Sequence, residues 1–177
     1  MPKPDLLLDE RFLANSQELF VALKTTVVWD TRMLSRKTAS FGKAYNYSGI
    51  TYRETPMPPL LIPIVDQLEV RLGFRPNNCL LNYYESGEAT MGFHSDSTAE
   101  LVSGTGIAIV SLGAVRSITF QFKREGKEEF SYPLLSGSLL YMSPQIQQDW
   151  RHAIRKQPGT SSRISMTFRQ IAAPLSA

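Results

Sequence analysis

The sequence predicts an α+β fold that is mainly β, with one or two helices on the N-terminal side of a β-rich body. Three observations predict it. Amphipathic spacing marks two short segments before residue 73. After residue 77 the pattern changes to short alternating stretches rich in β-branched and aromatic residues. Glycines and prolines then punctuate these stretches at regular spacing, as in a sandwich or barrel.

Residues 15–25 form the first helical segment, with Leu19, Phe20 and Leu23 on one face. Asn15 is the expected cap, and Glu18 occupies the capping-box position three residues later. Residues 26–54 mix aromatics, basic residues and glycines, which suits short strands or hairpins better than a helix. Pro56, Pro58, Pro59 and Pro63 punctuate the next stretch. Leu60 to Leu72 then reads as a second helix, with Ile64, Leu68 and Leu72 on one face, Pro63 tolerable in its first turn and Gly73 ending it. The strand series follows: CLLNYYE, GIAIVSLGAV (106–115), SITFQFK (117–123), EEFSYPLL, GSLLYMS and RISMTFRQI. Gly104, Gly113, Gly126, Gly137, Pro144, Pro158 and Gly159 separate these pieces as turn residues.

Composition narrows the class. With 177 residues, 42% hydrophobic and 20% charged, the chain fits one globular domain and not a disordered segment. Its one cysteine, Cys79, allows no internal disulfide, which suits a reducing compartment. No apolar run approaches the roughly 20 residues of a membrane span, and the N-terminal MPKPDLLLDERF does not resemble a secretory signal. A monomer inside the cell, cytoplasmic or nuclear, with no membrane partner is expected. The net charge is +3, and its distribution is uneven. Lys24, Arg32, Arg36, Lys37 and Lys43 face only Asp30 in their stretch, and residues 151–169 hold five basic residues and no acid. Such segregation is compatible with a polyanion.

The chemistry rests on few residues. The chain has two histidines, His94 and His152. His94 precedes Asp96 by two, and in an extended segment residues i and i+2 point to the same side. One imidazole and one carboxylate are thereby offered to a single metal, and a second histidine from another strand completes one face of an octahedron. That arrangement suits iron(II) and leaves positions open for a chelating co-substrate and for oxygen. A His-x-Asp pair alone is common by chance; the order downstream gives it weight. His152 follows His94 by 58 residues, and Arg163 follows eleven later, inside a strand-like RISMTFR. A guanidinium there recognises a carboxylate through two parallel bonds.

NYY, then HSD nine residues on, then WRH, then RISMTFRQ resembles the AlkB family of iron(II)- and 2-oxoglutarate-dependent dioxygenases over about residues 26–171. The resemblance implies a double-stranded β-helix, or jelly roll, with N-terminal helices and a nucleotide-recognition lid. The whole of 1–177 would be one such domain, with the lid over about 26–55 and the jelly-roll core over about 78–171. His94, Asp96 and His152 would hold Fe(II). Arg163 would pair with the distal carboxylate of 2-oxoglutarate, with Tyr84 donating to the same end. Asn82 and Arg169 would contact the metal-side end or line the pocket. Ser165 stands in that pocket where many relatives carry asparagine. In the lid, Arg36 and Lys37 would meet phosphates while Tyr45 and Tyr47 stack on an extruded base; packing of the lid on the body is the alternative for the tyrosines. Trp29 lies near a hairpin that presses into the duplex in some relatives.

One position departs from the family. Many base-repairing relatives carry a carboxylate four residues after the first iron histidine, where this chain has Thr98. Glu100 would replace it only with a loop shift. The expected activity is therefore oxidative demethylation of N-alkylated bases, of the 1-methyladenine and 3-methylcytosine type, in DNA or RNA, with Fe(II), 2-oxoglutarate and O2. The alternatives are a hydroxylase of a free nucleotide, small metabolite or protein side chain, and a non-catalytic module that keeps the fold.

Overall fold

The structure, a computed structural model, describes residues 3–124 and 128–173. Gly126, expected as a turn residue, lies outside the described residues.

Twelve strands and three α-helices follow in the order β1 (Leu6–Asp9), α1 (Ser16–Thr26), β2 (Lys37–Gly42), β3 (Tyr45–Tyr47), β4 (Ile50–Tyr52), α2 (Ile62–Leu72), β5 (Asn78–Tyr84), β6 (Met91–His94), β7 (Ile107–Gly113), β8 (Arg116–Phe122), β9 (Glu129–Leu134), β10 (Leu139–Met142), α3 (Pro144–Asp149), β11 (Trp150–Ile154) and β12 (Arg163–Arg169), among the described residues. A larger antiparallel sheet has the order β1-β10-β7-β12-β5-β2 and a smaller one the order β6-β11-β8-β9. These two sheets form the jelly roll. β3 and β4 make a separate hairpin.

Both helices lie where the apolar spacing places them. α1 buries Leu19, Phe20 and Leu23. Asn15 precedes it as expected, but its side chain makes no capping bond, so the capping box does not form. A 3-10 turn, Pro59–Leu61, leads into α2, which buries Ile64, Val65 and Leu68. Gly73 closes α2 in the left-handed conformation, φ 78°, and its N–H donates to the Glu69 carbonyl at 2.9 Å. An L-residue with a Cβ disfavours that conformation.

Three central strands of the larger sheet decide where everything else goes. β5 and β12 are buried along their whole length, and β7 is buried up to Gly113. Because strand side chains alternate, each strand divides its residues between two interiors. Cys79, Leu81, Val110, Leu112, Ile164, Met166 and Phe168 pack under the helices in one apolar core. A second core, including Ile107, Ile109, Ile118 and Phe120, lies between the two sheets. Each large aliphatic or aromatic side chain removed from water contributes about 1.5–3 kcal/mol, so the helices clamp the outer face of this sheet while the inner face is left for polar work. Asn82, Tyr84, Ser165 and Arg169 all fall on that inner face.

Several elements depart from expectation. β1, β6, β11 and α3 carry too few residues for a periodic pattern to register. Pro144 sits at the start of α3 instead of in a turn, where its fixed φ fits the first helical residues. Within the stretch expected as a lid, β2 is an outer strand of the larger sheet, paired with β5 from Lys37↔Tyr83 to Gly42↔Asn78. Only the β3–β4 hairpin stands off that sheet.

Candidate active site

His94 ends β6, and Asp96 follows just beyond it. β11 pairs with β6 so that His152 lies opposite His94. Adjacent strands thus deliver three side chains to one point: their ligand atoms all lie within 4.8 Å of one another. The two imidazoles are 4.4 Å apart between centroids, and His152 Nε2 is 3.5 Å from Asp96 Oδ2. The His94 Nδ1–H donates to the Gly92 carbonyl at 2.9 Å, a partner that can only accept. In neutral His94 the lone pair is therefore on Nε2, ready for a metal. Burial, reinforced by His152 nearby, lowers the His94 pKa and favours the neutral ligand form.

Asp96 is 5% exposed at its side chain. Burial alone would raise its pKa. The Arg169 guanidinium, donating to Oδ1 at 3.0 Å, and His152 outweigh that and hold the carboxyl well below the usual carboxylate range. Arg169 is itself 1% exposed and lies 4.4 Å from the Tyr45 ring centroid.

A narrow cavity continues inward from this triad, between the sheets. β12 lays Arg163, Ser165, Thr167 and Arg169 along it at every second residue. Arg169 marks the end near Asp96. Arg163 lies six residues away along the strand, about 20 Å at the rise of an extended chain. Arg163 is 1% exposed and donates through Nη2 to Ser111 Oγ at 2.9 Å; its Nε and Nη1 have no partner. Burial lowers its pKa, partly offset by Tyr84, whose ring centroid is 5.3 Å away. Arg169 Nε and Nη1 and His152 Nδ1 are also buried without partners.

Asn82 is fixed from outside the cavity. Arg36 Nε donates to its Oδ1 at 2.8 Å, which leaves the amide nitrogen for a ligand. Arg36 was expected to meet phosphates, yet it is 8% exposed and also donates to the Tyr47 hydroxyl at 2.7 Å. Lys37 pairs with Glu85 at 2.8 Å. Tyr45 and Tyr47 stack 6.3 Å apart with 22° between planes. Tyr45 is 4% exposed and packs with Tyr52 and Leu80, which is the packing role. Tyr47 lines the cavity, and burial pushes its hydroxyl up to about 12. Thr98 and Glu100 line neither this cavity nor the groove outside it; their carbonyls accept the N–H groups of Leu101 and Ala172. Trp29 is not a free wedge: its ring packs 5.0 Å from that of Tyr83.

Two residues escaped the sequence reading. Ser111 receives the Arg163 bond. Arg116 is fully buried and donates to the carbonyls of Ser86, Ala89 and Arg155, pinning the loops beside Tyr84. A signal existed for both. Ser111 is in phase with Ile107 and Ile109, and Arg116 with Ile118 and Phe120, so the alternation itself points them inward.

The family model described as the 2OG-Fe(II) oxygenase superfamily matches residues 15–169. The chain is 33% identical over 182 residues to DNA oxidative demethylase ALKBH2 of Homo sapiens, covering 89% of this chain and 69% of that protein. It belongs to the AlkB family. The Mus musculus ALKBH2 is 34% identical over 160 residues, 84% of this chain and 66% of that protein. Human alpha-ketoglutarate-dependent dioxygenase alkB homolog 3 is 31% identical over 147 residues, 77% of this chain and 51% of that protein. The chain thus spans about two thirds of the ALKBH2 proteins it matches and about half of the alkB homolog 3. The structure of OsALKBH1 superposes with a TM-score of 0.72 at 18% identity, covering 96% of this chain and all of that one, and supports the fold.

As an AlkB-family member the chain is a 2-oxoglutarate-dependent dioxygenase using Fe(II) and O2. The residues present fit those groups. The donor set of two imidazoles and a carboxylate held ionised suits iron(II). Buried guanidinium nitrogens without partners are costly unless a ligand satisfies them. Arg163 Nε and Nη1 therefore ask for an anion in the cavity, as the distal carboxylate of 2-oxoglutarate is. Among the described residues no helix is long and apolar enough to cross a membrane.

Proposed function

We propose that this AlkB-family dioxygenase demethylates N-alkylated bases, of the 1-methyladenine and 3-methylcytosine type, in DNA or RNA. The observation that carries the reading is an open groove of roughly 430 Å3 that leads to His94 and Asp96 and has Tyr45 and Tyr47 along it. A groove of this size beside the metal ligands suits an extruded base, which aromatic faces grip by stacking. The names of the similar ALKBH2 proteins, DNA oxidative demethylases, support the same substrate. We read the chain as one domain that acts as a monomer inside the cell, cytoplasmic or nuclear.

His94, Asp96 and His152 hold the iron in this reading. Bound iron and 2-oxoglutarate supply oxidative chemistry: one atom of dioxygen enters succinate as carbon dioxide is lost, and the other hydroxylates the methyl group, which leaves as formaldehyde. The protein does the rest. Arg169 keeps Asp96 ionised and oriented. Arg163 and Tyr84 bind the distal carboxylate, Asn82 and Ser165 line the co-substrate's path, and Arg36 holds Asn82 and Tyr47 in one network. Tyr47 offers a face to the base, and Tyr45 backs it. Thr98, which lines neither the cavity nor the groove, and Lys37, which is paired with Glu85, have no contact with the substrate in this reading.

A second reading keeps the chemistry and changes the substrate to a free nucleotide, small metabolite or protein side chain. What favours it is that Arg36 is turned inward and Lys37 is paired with Glu85, so neither expected phosphate contact stands free. One experiment separates the readings. Succinate and formaldehyde are measured with iron(II), 2-oxoglutarate and oxygen on oligonucleotides carrying 1-methyladenine or 3-methylcytosine, with His152→Ala as control. Equal amounts of both products, absent in the control, are expected. Succinate without formaldehyde removes these substrates and moves the reading to the second class.

A further inference from the structure

One wall of the groove is formed by β6. β6 alternates, so while His94 turns in toward the metal ligands, Phe93 turns out. Phe93 nevertheless lines the same groove as His94 and Tyr47. On the neighbouring strand β11, Arg151 is on the same outward phase, and Arg155 follows just past the strand's end. Their guanidinium carbons lie 5.6 and 5.1 Å from the Phe93 ring centroid, both within cation–π range. Ala153, between them in sequence, is 2% exposed. Its small side chain leaves room for a ring on that side.

The two arginines are not equivalent. Arg155 is held by Glu129 at 2.5 Å, so its charge is matched and its position is set. Arg151 donates through Nε to the neutral Gln121 amide at 2.7 Å and has no carboxylate partner among the described residues. The result is a half-buried phenyl ring flanked by one fixed and one uncompensated guanidinium, at the mouth of the active site.

We propose that Phe93, Arg151 and Arg155 form a binding subsite for the nucleotide adjoining the target base in an unpaired strand. Aromatic rings and guanidinium planes both stack on bases without regard to sequence, and a free guanidinium takes a phosphate. A nucleotide next to one held at the metal ligands is tied to it by a single phosphodiester and so lies along this groove. Phe93 stacks on its base, Arg155 supports the ring, and Arg151 binds the connecting phosphate. The subsite rests on the nucleic-acid reading above and deepens it, since it gives the enzyme a grip on single strands longer than one nucleotide.

The test compares wild type with Phe93→Ala and Arg151→Gln on a single-stranded pentadeoxynucleotide carrying a central 1-methyladenine and on the methylated mononucleotide. Affinity for the pentamer is measured by anisotropy at several salt concentrations. Phe93→Ala should weaken pentamer binding by about tenfold and lower the ratio of pentamer to mononucleotide kcat/KM by a similar factor. Arg151→Gln, a change at an exposed side chain, should reduce the slope of log affinity against log salt by about one. Fluorescence of 2-aminopurine placed beside the target should be quenched by wild type and not by Phe93→Ala. Unchanged pentamer affinity and salt slope in both variants would overturn the subsite. So would equal loss on pentamer and mononucleotide, which would mean that Phe93 only supports His94, and so would polyglutamate binding as tight as the pentamer. A wild type that neither binds nor turns over any methylated oligonucleotide fails one step earlier and removes the nucleic-acid reading itself.

Discussion

The Asp96 carboxylate is divided between two partners: Arg169 donates to Oδ1 at 3.0 Å, and Oδ2 faces His152 Nε2 at 3.5 Å. One oxygen is spent on orientation, so the other is presented to a metal in a fixed direction and charge state. Groups that orient metal ligands in this way typically affect affinity by about 10–100-fold. Arg169→Met should therefore weaken metal binding by about that factor while leaving all three ligands in place. Cobalt(II) titration followed by visible absorption checks it. Wild-type affinity in the variant would show that Asp96 needs no such partner.

Arg163 gives a second expectation, at the opposite end of the cavity. Its Nε and Nη1 lack partners, so the planar donor fork of the guanidinium has bonds left for a carboxylate, and each charge-assisted bond contributes about 1.5–3 kcal/mol. Arg163→Met should raise the KM for 2-oxoglutarate on the order of 100-fold or more. Arg163→Lys keeps the charge but loses the fork, so it should fall between. Ser111→Ala removes one bond to the guanidinium and should raise KM by less than about tenfold. Initial rates of succinate release at varied co-substrate, with base substrate saturating, separate the three. Equal KM values for wild type and Arg163→Met would place the distal carboxylate elsewhere.

The same unpartnered groups make stability depend on ligands. Anaerobic iron(II) with 2-oxoglutarate, each at about 100 times its Kd, stabilises a one-site protein by about 2.7 kcal/mol for each independent site. For a chain of this length 1 kcal/mol corresponds to roughly 2–4 °C. Thermal unfolding should thus shift upward by about 10–20 °C with both ligands bound, and chelation of the metal should reverse it. A His152→Ala protein should show little of the metal-dependent part.

Much of this site was legible in the sequence because one physical rule, alternation along a strand, governs it. Arg163, Ser165 and Arg169 at even spacing along β12 are placed by that rule, and Asp96, just past the end of β6, keeps the side of His94. The helices were equally legible, because Leu19, Phe20, Leu23, Ile64 and Leu68 repeat at helical spacing. Alternation does not say what a side chain meets on the far side of a turn. Arg36 reads as a surface cation of a basic stretch, yet β2 joins the larger sheet and turns it toward Asn82, 46 positions away in sequence. Alternation turns Arg116 inward, but nothing local tells that three carbonyls from two loops surround it. Phe93 reads as filler between a glycine and a metal ligand until β11 brings two arginines beside it. Each of these depends on contacts distant in sequence, which no local pattern encodes.

Cys79 tests the core under the helices. Burial raises its thiol well above the ordinary range, and no atom of it reaches solvent. Thiolate is the reactive form, so native protein should resist iodoacetamide at pH 8, while protein in urea should label fully. Mass spectrometry after a fixed exposure gives the comparison. Rapid labelling of folded protein would mean that β5 separates readily from the helices above it.

Two glycines in the segment that carries the tyrosines share a backbone conformation but not a neighbourhood. Gly42 has φ 80° and Gly49 φ 76°. A Cβ at Gly49 would meet nothing within 4 Å, whereas one at Gly42 would sit 2.0 Å from the Asn77 carbonyl oxygen. Gly49→Ala therefore carries only the left-handed strain, about 1–2 kcal/mol. Gly42→Ala adds a collision with backbone that cannot swing aside, and should cost roughly 3 kcal/mol or more. Gly42 also exchanges backbone bonds with Thr55 and ends β2 just before Tyr45, so relief of the clash must move the hairpin. Urea unfolding should rank the variants wild type, Gly49→Ala, Gly42→Ala. Demethylation should fall more in Gly42→Ala than its folded fraction accounts for, because Tyr45 and Tyr47 shift with the strand. Full activity per folded molecule in that variant would mean that the tyrosines are positioned by their own packing on Leu80 and Tyr52 and not by the turn that precedes them.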